Sequence, residues 1–292
     1  MSVSTGALIS TALTEIIRLS PGSILDVGCG FGLWGFLSRL YLDVFPGRRY
    51  RDEWTVRIEG VEAFPKYVMP HQEFLYDAIH TGKIEDMVDR LVNFDLYIFG
   101  DVLEHLSKNT AVRVLETACR NANKGVLINI PLGEGWLRES CGENEYEAHL
   151  SVWELEDFLE YCPKVCGTAT FPALGYYATV LIDGTLSEAE RADMMYCNGV
   201  LCFQKHPQFA SRCFNFAIEM GYDNPGAHFE LSRLLIEQKK AQEAVRVLRD
   251  AIASFPHHEA CYDLLARLLR TLNRTHEAEV ILAAKPRASA SS

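Results

Sequence analysis

The sequence predicts an α/β fold, a doubly wound, mostly parallel sheet covered on both faces by helices, followed by a small all-α domain of helical repeats. Three observations predict it. Short β-rich runs alternate with helical patterns over residues 1–184. A glycine-rich turn follows the first of those runs. Beyond about residue 190 no β-run remains and a 34-residue period emerges, with Ala210, Ala244 and Ala278 in one column.

The opening MSVSTGALISTALTEIIRLS reads as an amphipathic helix. It has no charged leading segment and no continuous apolar core, so no signal peptide is expected. The β-rich runs are Ser23–Val27, Val56–Glu62, Phe94–Phe99, Gly125–Ile130 and Gly167–Phe171 with Tyr176–Ile182. PALG joins the last two, which predicts an antiparallel hairpin at one sheet edge. Helical periodicity covers Leu33–Asp43, Lys83–Leu91, Lys108–Ala122 with Ser107 as N-cap, and Glu154–Tyr161.

In the second part Phe214, Leu248 and Leu282 keep the same step, as do Leu201, Leu235 and Leu269, and the pair Ala217 and Ala251. This resembles the tetratricopeptide repeat, in which small residues stand where two helices touch. Two full repeats are expected, about 191–224 and 225–258, with a truncated third in which Lys285 replaces the alanine. The three domains expected are 1–184, 191–285 and a disordered tail, 286–292.

The 292 residues are 48% hydrophobic, ample for a core, and carry a net charge of -11. Nucleic-acid surfaces cluster Lys and Arg, and RRYR at 48–51 is the nearest approach to a basic run, so no nucleic-acid partner is expected. No stretch reaches the length of a membrane span. Nine scattered cysteines suit a reduced, cytoplasmic setting, and Cys162 with Cys166 lacks the second pair that a zinc set needs.

The glycine turn decides the ligand class. From Gly30, GFGLWG fits the dinucleotide pattern G-x-G-x-x-G. Counted from Gly28, which follows the strand more directly, the pattern is D-x-G-x-G-x-G. In that reading LDVGCGFG, IEGVEAF, FDLYIFGDVLEHL and KGVLINIPLG, in this order, resemble four motifs of the class I S-adenosylmethionine-dependent methyltransferases over residues 20–182. The resemblance implies a seven-stranded sheet and S-adenosylmethionine as cofactor. Asp26 and the backbone of Gly28, Gly30 and Gly32 would hold its methionine end, with Asp101 nearby, and Glu62 would take both ribose hydroxyls. The chain departs from the family in three ways. VFPGRRYRDEW lengthens the step from Asp26 to Glu62, and Glu59 lies close enough to compete with Glu62. Lys83 stands where an acid often meets the adenine amine, leaving Ile84 to pack the ring or Glu85 or Asp86 to substitute.

Methyl transfer needs a positioned nucleophile, and a base when that nucleophile arrives protonated. The candidates are Glu104 and His105 in DVLEHL and His149 in NEYEAHLSVW. D-x-x-E-H with a distant histidine loosely resembles the metal set of some magnesium-dependent methyltransferases, but two imidazoles suit magnesium poorly, and no metal is assigned. The long connector after Pro131 is expected to form a lid or substrate wall, with Trp136, Tyr146, Trp153, Tyr176 and Tyr177 as pocket aromatics. The expected activity is O- or N-methylation of a small-molecule or sugar-like acceptor. The alternatives are methylation of a peptide or protein held by the repeats, and a non-catalytic scaffold that keeps the fold.

Overall fold

The computed structural model describes residues 6–140 and 143–286. The chain divides into two compact units, Met1–Thr185 and Leu186–Ser292.

The first unit is built on one seven-stranded sheet: β1 Ser23–Val27, β2 Arg57–Glu62, β3 Ala78–Thr81, β4 Phe94–Gly100, β5 Ala122–Leu132, β6 Lys164–Phe171 and β7 Gly175–Asp183. Their order is β3-β2-β1-β4-β5-β7-β6. The first five strands pair in parallel, and β7 runs antiparallel to both β5 and β6, which is the expected edge hairpin. Register is set by apolar pairs such as Ile24 with Ile58 on one side and Leu96 on the other. β1 and β4 are buried almost throughout, as strands covered on both faces must be. Four helices cover them: α1 Ile9–Leu19, α2 Leu33–Arg39, α3 Pro70–Leu75 and α4 Lys108–Asn121. Ser107 caps α4, its Oγ accepting from the Thr110 amide at 3.4 Å. Ala12, Ile16 and Leu19 of α1 pack with Ile24, Ile58 and Leu96 in the core.

The structure differs from the sequence reading at four elements. β3 was not expected: it is four residues long, at an edge and only partly buried, so it lacks an apolar run. Lys83–Leu91 forms one 3₁₀ turn, Ile84–Asp86, in place of a helix, since nine residues with only Ile84 and Val88 buried deeply cannot sustain one. Leu155–Tyr161 is likewise 3₁₀. The helix expected over 33–43 ends at Arg39 and continues as a wide π turn, Leu40–Val44. That turn aims Asp43 at Arg39 (2.6 Å) and Arg48 (2.8 Å), which fastens the inserted loop.

The second unit is all helical: α5 Glu188–Cys202, α6 Pro207–Glu219, α7 Gly226–Glu237, α8 Ala241–Ser254, α9 Glu259–Thr271 and α10 Thr275–Ala283. Ala210, Ala244 and Ala278 are fully buried, as the small-residue column requires. The third repeat forms a helix pair whose second helix is shortened, nine residues in α10 against fourteen in α8, and Lys285 ties it down by pairing with Glu259 (3.1 Å) and Asp263 (2.8 Å) on α9. One expected column fails at its first member: Leu235 and Leu269 are buried, whereas Leu201 is 57% exposed. The tail expected at 286–292 lies, apart from Pro286, outside the described residues.

Candidate functional site

Strand order reverses between β1 and β4, and a cavity of about 360 Å³ opens there at the carboxyl ends of β1, β2 and β4. Its floor is the backbone from Gly28 to Gly30. Gly28 has φ +66°, and a Cβ there would stand 2.5 Å from Val102 Cγ2, so only glycine leaves the floor bare beside that side chain.

The loop amides are largely spent inside the protein. Cys29 N donates to Val61 O (2.9 Å), Gly30 N to Glu62 Oε2 (2.9 Å) and Gly32 N to Cys29 O (2.7 Å). Gln72, fully buried on α3, donates to Gly30 O and holds the loop from behind.

Asp26 and Gly32, both expected at the ligand, lie outside the cavity lining. Asp26 is fully buried on the α2 side, where Oδ2 accepts from Tyr76 Oη (2.5 Å) and Gly35 N (3.2 Å). Burial drives its pKa from 3.8 up to about 7, against the lowering effect of those two donors. Gly35 makes the contact possible, because a Cβ there would lie 2.1 Å from Tyr76 Cζ. Tyr76, missed in the sequence, is therefore the partner that orients the motif acid, from 50 positions away.

Glu62 does reach the cavity. Oε1 accepts from Phe64 N (2.8 Å) and Oε2 from Gly30 N, and the Ala63 amide is a third backbone donor to the same carboxylate. Burial, with the charge of Glu147, raises its pKa despite the backbone donors. Glu59 is committed elsewhere, to His80 (2.6 Å) and Arg57 (3.2 Å). Asp101 lines the cavity just beyond β4 with φ +57°, a left-handed conformation that an aspartate tolerates at some cost. Tyr177 Oη donates to its Oδ2 at 2.8 Å, and its amide donates to Asn129 O at 3.0 Å.

Ile84, Lys83 and Glu85 lie on the wall, and Asp86 does not. The connector after Pro131 supplies the facing wall with Asn144, Tyr146, Glu147 and Leu150, as the lid expectation had it. Tyr67 donates to Glu147 across this wall. Of the other aromatics, Trp153 is buried and stacked on Phe158 at 5.2 Å, and Trp136 packs on Phe171 and Tyr177.

The three candidate catalytic residues converge, although only His105 lines the cavity. The His105 and His149 rings meet edge to face at 4.8 Å. Burial lowers the pKa of His105, and it lowers that of His149 to about 4 with the neighbouring His105 and Arg138 acting in the same direction. Glu104 is 1% exposed and neither carboxylate oxygen has a hydrogen-bond partner. Burial and the Asp101 charge raise its pKa well above the usual carboxylate range.

The tetratricopeptide-repeat family model matches residues 235–291. No curated protein sequence matches the chain. Three of the solved structures to which it is similar are methyltransferases or a protein of related shape. Mitomycin 7-O-methyltransferase shares 14% identity at a TM-score of 0.37, over 60% of this chain and 55% of its own. TehB from Haemophilus influenzae shares 15% at 0.41, over 61% and 62%. The 1,6-didemethyltoxoflavin-N1-methyltransferase of Burkholderia thailandensis, solved with its namesake compound and S-adenosylhomocysteine, shares 14% at 0.40, over 60% and 77%. The chain thus spans little more than half the length of the first two. Among the described residues no helix is long and apolar enough to cross a membrane. A seven-stranded mixed sheet flanked by helices and a tetratricopeptide-like repeat are the two parts of this chain.

Proposed function

We propose that the first unit binds S-adenosylmethionine and transfers its methyl group to an oxygen or nitrogen of a small or sugar-like acceptor. The carrying observation is the charge of the cavity. Glu62, Glu85, Asp101 and Glu147 line it against a single ammonium, Lys83. A nicotinamide dinucleotide would bring a pyrophosphate to this turn, where free amides should receive it. Here Cys29, Gly30 and Gly32 have already given their amides to the protein, and acids face the space instead. A sulfonium and an ammonium suit such a lining.

The residues fit that cofactor. The volume falls within the range of cofactor sites. Glu62 would take the ribose hydroxyls on its cavity-facing carboxylate, Ile84 would pack the adenine, and the Gly28–Gly30 backbone with Asp101 would hold the methionine end. Bound there, the cofactor supplies a methyl carbon activated by its sulfonium. Tyr177 fixes the Asp101 carboxylate, and the wall from Asn144 to Leu150 excludes water from the acceptor's approach. Glu104, His105 and His149 are the cluster that would deal with an acceptor's proton, reaching the cavity through His105.

Isothermal titration with S-adenosylhomocysteine tests the reading. One molecule should bind per chain, and Glu62→Gln should weaken it by roughly ten- to a hundredfold, the loss of one or two charge-assisted hydrogen bonds. Binding of NADH in preference to S-adenosylhomocysteine would refute it. A panel of hydroxyl and amine acceptors with a labelled methyl donor then identifies the substrate class. A role for the repeats in presenting a peptide belongs to this proposal only as its second reading.

A further inference from the structure

Acids line the donor cavity, but a cation stands just outside its rim. A shallow surface pocket lies beside the cavity, with Leu137, Arg138, Ser140, His149 and Leu150 in its lining. The two spaces share Leu150, which is 62% exposed and forms the rim between them. Arg138 and His149 pair as an isolated antiparallel bridge, in which His149 N donates to Arg138 O at 3.0 Å. Residues directly opposite in such a pair present their side chains to one face. Arg138 is thus directed to the side on which His149 meets His105, and its charge acts on both imidazoles.

We propose, resting on the methyl-transfer reading above, that the acceptor is an organic acid with an apolar body whose carboxylate is held by Arg138. The guanidinium is exposed and has no hydrogen bond or ion pair among the described residues. Glu139 borders the same pocket without pairing with it, so the planar fork stays open for two carboxylate oxygens. Ser140 offers a hydroxyl beside it. Burial, with His105 and Arg138 nearby, holds the His149 pKa at about 4, so this imidazole is neutral at physiological pH. Arg138 is then the only cation among the described residues of the lining, which suits a single negative charge, whereas a phosphate dianion calls for more. Leu137, 51% exposed, and Leu150 give the acceptor's hydrocarbon part a surface to cover.

Electrostatics then fixes which end of the acceptor goes in. Glu62, Glu85, Asp101 and Glu147 repel a carboxylate from the donor cavity, and Arg138 attracts it outside. Lys83, the cation inside, sits over the Tyr146 ring at 5.2 Å, on the wall assigned to the adenine. An acceptor straddling Leu150 therefore sends its uncharged hydroxyl or amine inward, toward the Asp101 end. His105 lies on that route, because it lines the cavity and its ring meets that of His149 at 4.8 Å. Arg138 acts here as a specificity residue: it holds the acceptor's far end and lies outside the donor cavity.

The test uses the full chain with labelled S-adenosylmethionine. Hydroxyphenyl- and aminophenylalkanoic acids of increasing chain length are compared with their primary amides and with the matching phosphonates. Acids should outpace both by at least about tenfold in kcat/KM, and Arg138→Gln should remove that preference, mainly through KM, while Arg138→Lys keeps part of it. Saturation-transfer NMR with 3-(4-hydroxyphenyl)propionate should show binding to the chain loaded with S-adenosylhomocysteine, and Arg138→Gln should abolish it. Equal rates for acids and amides, faster phosphonates, or a preference that survives Arg138→Gln would each overturn the proposal. So would absent or unaltered binding in the NMR experiment, whether or not any acceptor turns over. Calorimetry with S-adenosylhomocysteine keeps the two readings apart. Equal affinity in the unaltered chain and the variants shows the donor site intact, so a failure is then that of the acceptor assignment. No binding to the unaltered chain would strike the donor reading, and this inference with it.

Discussion

Replacing Tyr76 by phenylalanine removes one oxygen from the interior and exposes the energetics of the first glycine motif. The Tyr76 hydroxyl donates to Asp26 Oδ2 at 2.5 Å, leaving Gly35 N at 3.2 Å as the other donor when it is lost. Asp26 has its folded pKa raised from 3.8 to about 7 by burial, so the folded state takes up a proton that the unfolded chain releases. Stability therefore falls as pH rises from about 4 through 7, and levels off above. The tyrosine bond favours the ionised carboxylate, so its loss pushes the pKa higher and extends the fall. At pH 5 the variant loses a neutral hydrogen bond, about 1 kcal/mol. At pH 8.5 it loses a bond to a charged group, about 2 to 3 kcal/mol. The difference corresponds to a further rise of about one pH unit for Asp26. Urea unfolding followed by tryptophan fluorescence measures this in the first unit alone, because all four tryptophans, at 34, 54, 136 and 153, lie within residues 1–185. Equal losses at the two pH values, or a larger loss at pH 5, would refute the reasoning.

Three further outcomes follow from close contacts and from the Asp101 wall. Gly35→Ala puts a Cβ 2.1 Å from Tyr76 Cζ and should cost about 1 to 3 kcal/mol by the same fluorescence assay; an unchanged midpoint would show that α2 has room to move. In the second unit, Gly199→Ala meets Phe214 Cε1 at 2.5 Å, and the midpoint of helix loss by circular dichroism should fall by a similar amount, whereas no change would mean the α5–α6 contact is loose. Tyr177→Phe removes the hydroxyl that donates to Asp101 Oδ2 and should weaken S-adenosylhomocysteine severalfold, about 1 kcal/mol by titration calorimetry. Unaltered affinity would place Asp101 outside the binding determinants.

Much of the sheet was legible because parallel strands buried on both faces read as apolar runs: Ser23–Val27 is β1 residue for residue. β3 and the Lys83–Leu91 segment were not, since a short edge strand lacks an apolar run and a helical stripe of two buried residues marks a turn equally well. The glycine turn announced a cavity, and the acid closing β2 announced its rim. The direction of Asp26 was hidden, because its hydroxyl donor outside the cavity lining is Tyr76, a long-range partner that no local spacing encodes. DVLEHL and NEYEAHLSVW offered Glu104, His105 and His149 separately. Their convergence depends on Leu150 and Ser151 donating to the Glu104 carbonyl, a backbone pairing across 46 or more positions that periodicity cannot reveal.

The central claim is that the acid-edged cavity beside β1 accepts a cationic methyl carrier, and a crystal of the full chain grown with S-adenosylhomocysteine tests it most directly. The account predicts density along the cavity, with the ribose at Glu62, the adenine against Ile84 and the methionine end over Gly28–Gly30 toward Asp101. Clear density for the protein with no ligand in that crevice at saturating concentration, or with the ligand seated elsewhere, would contradict it.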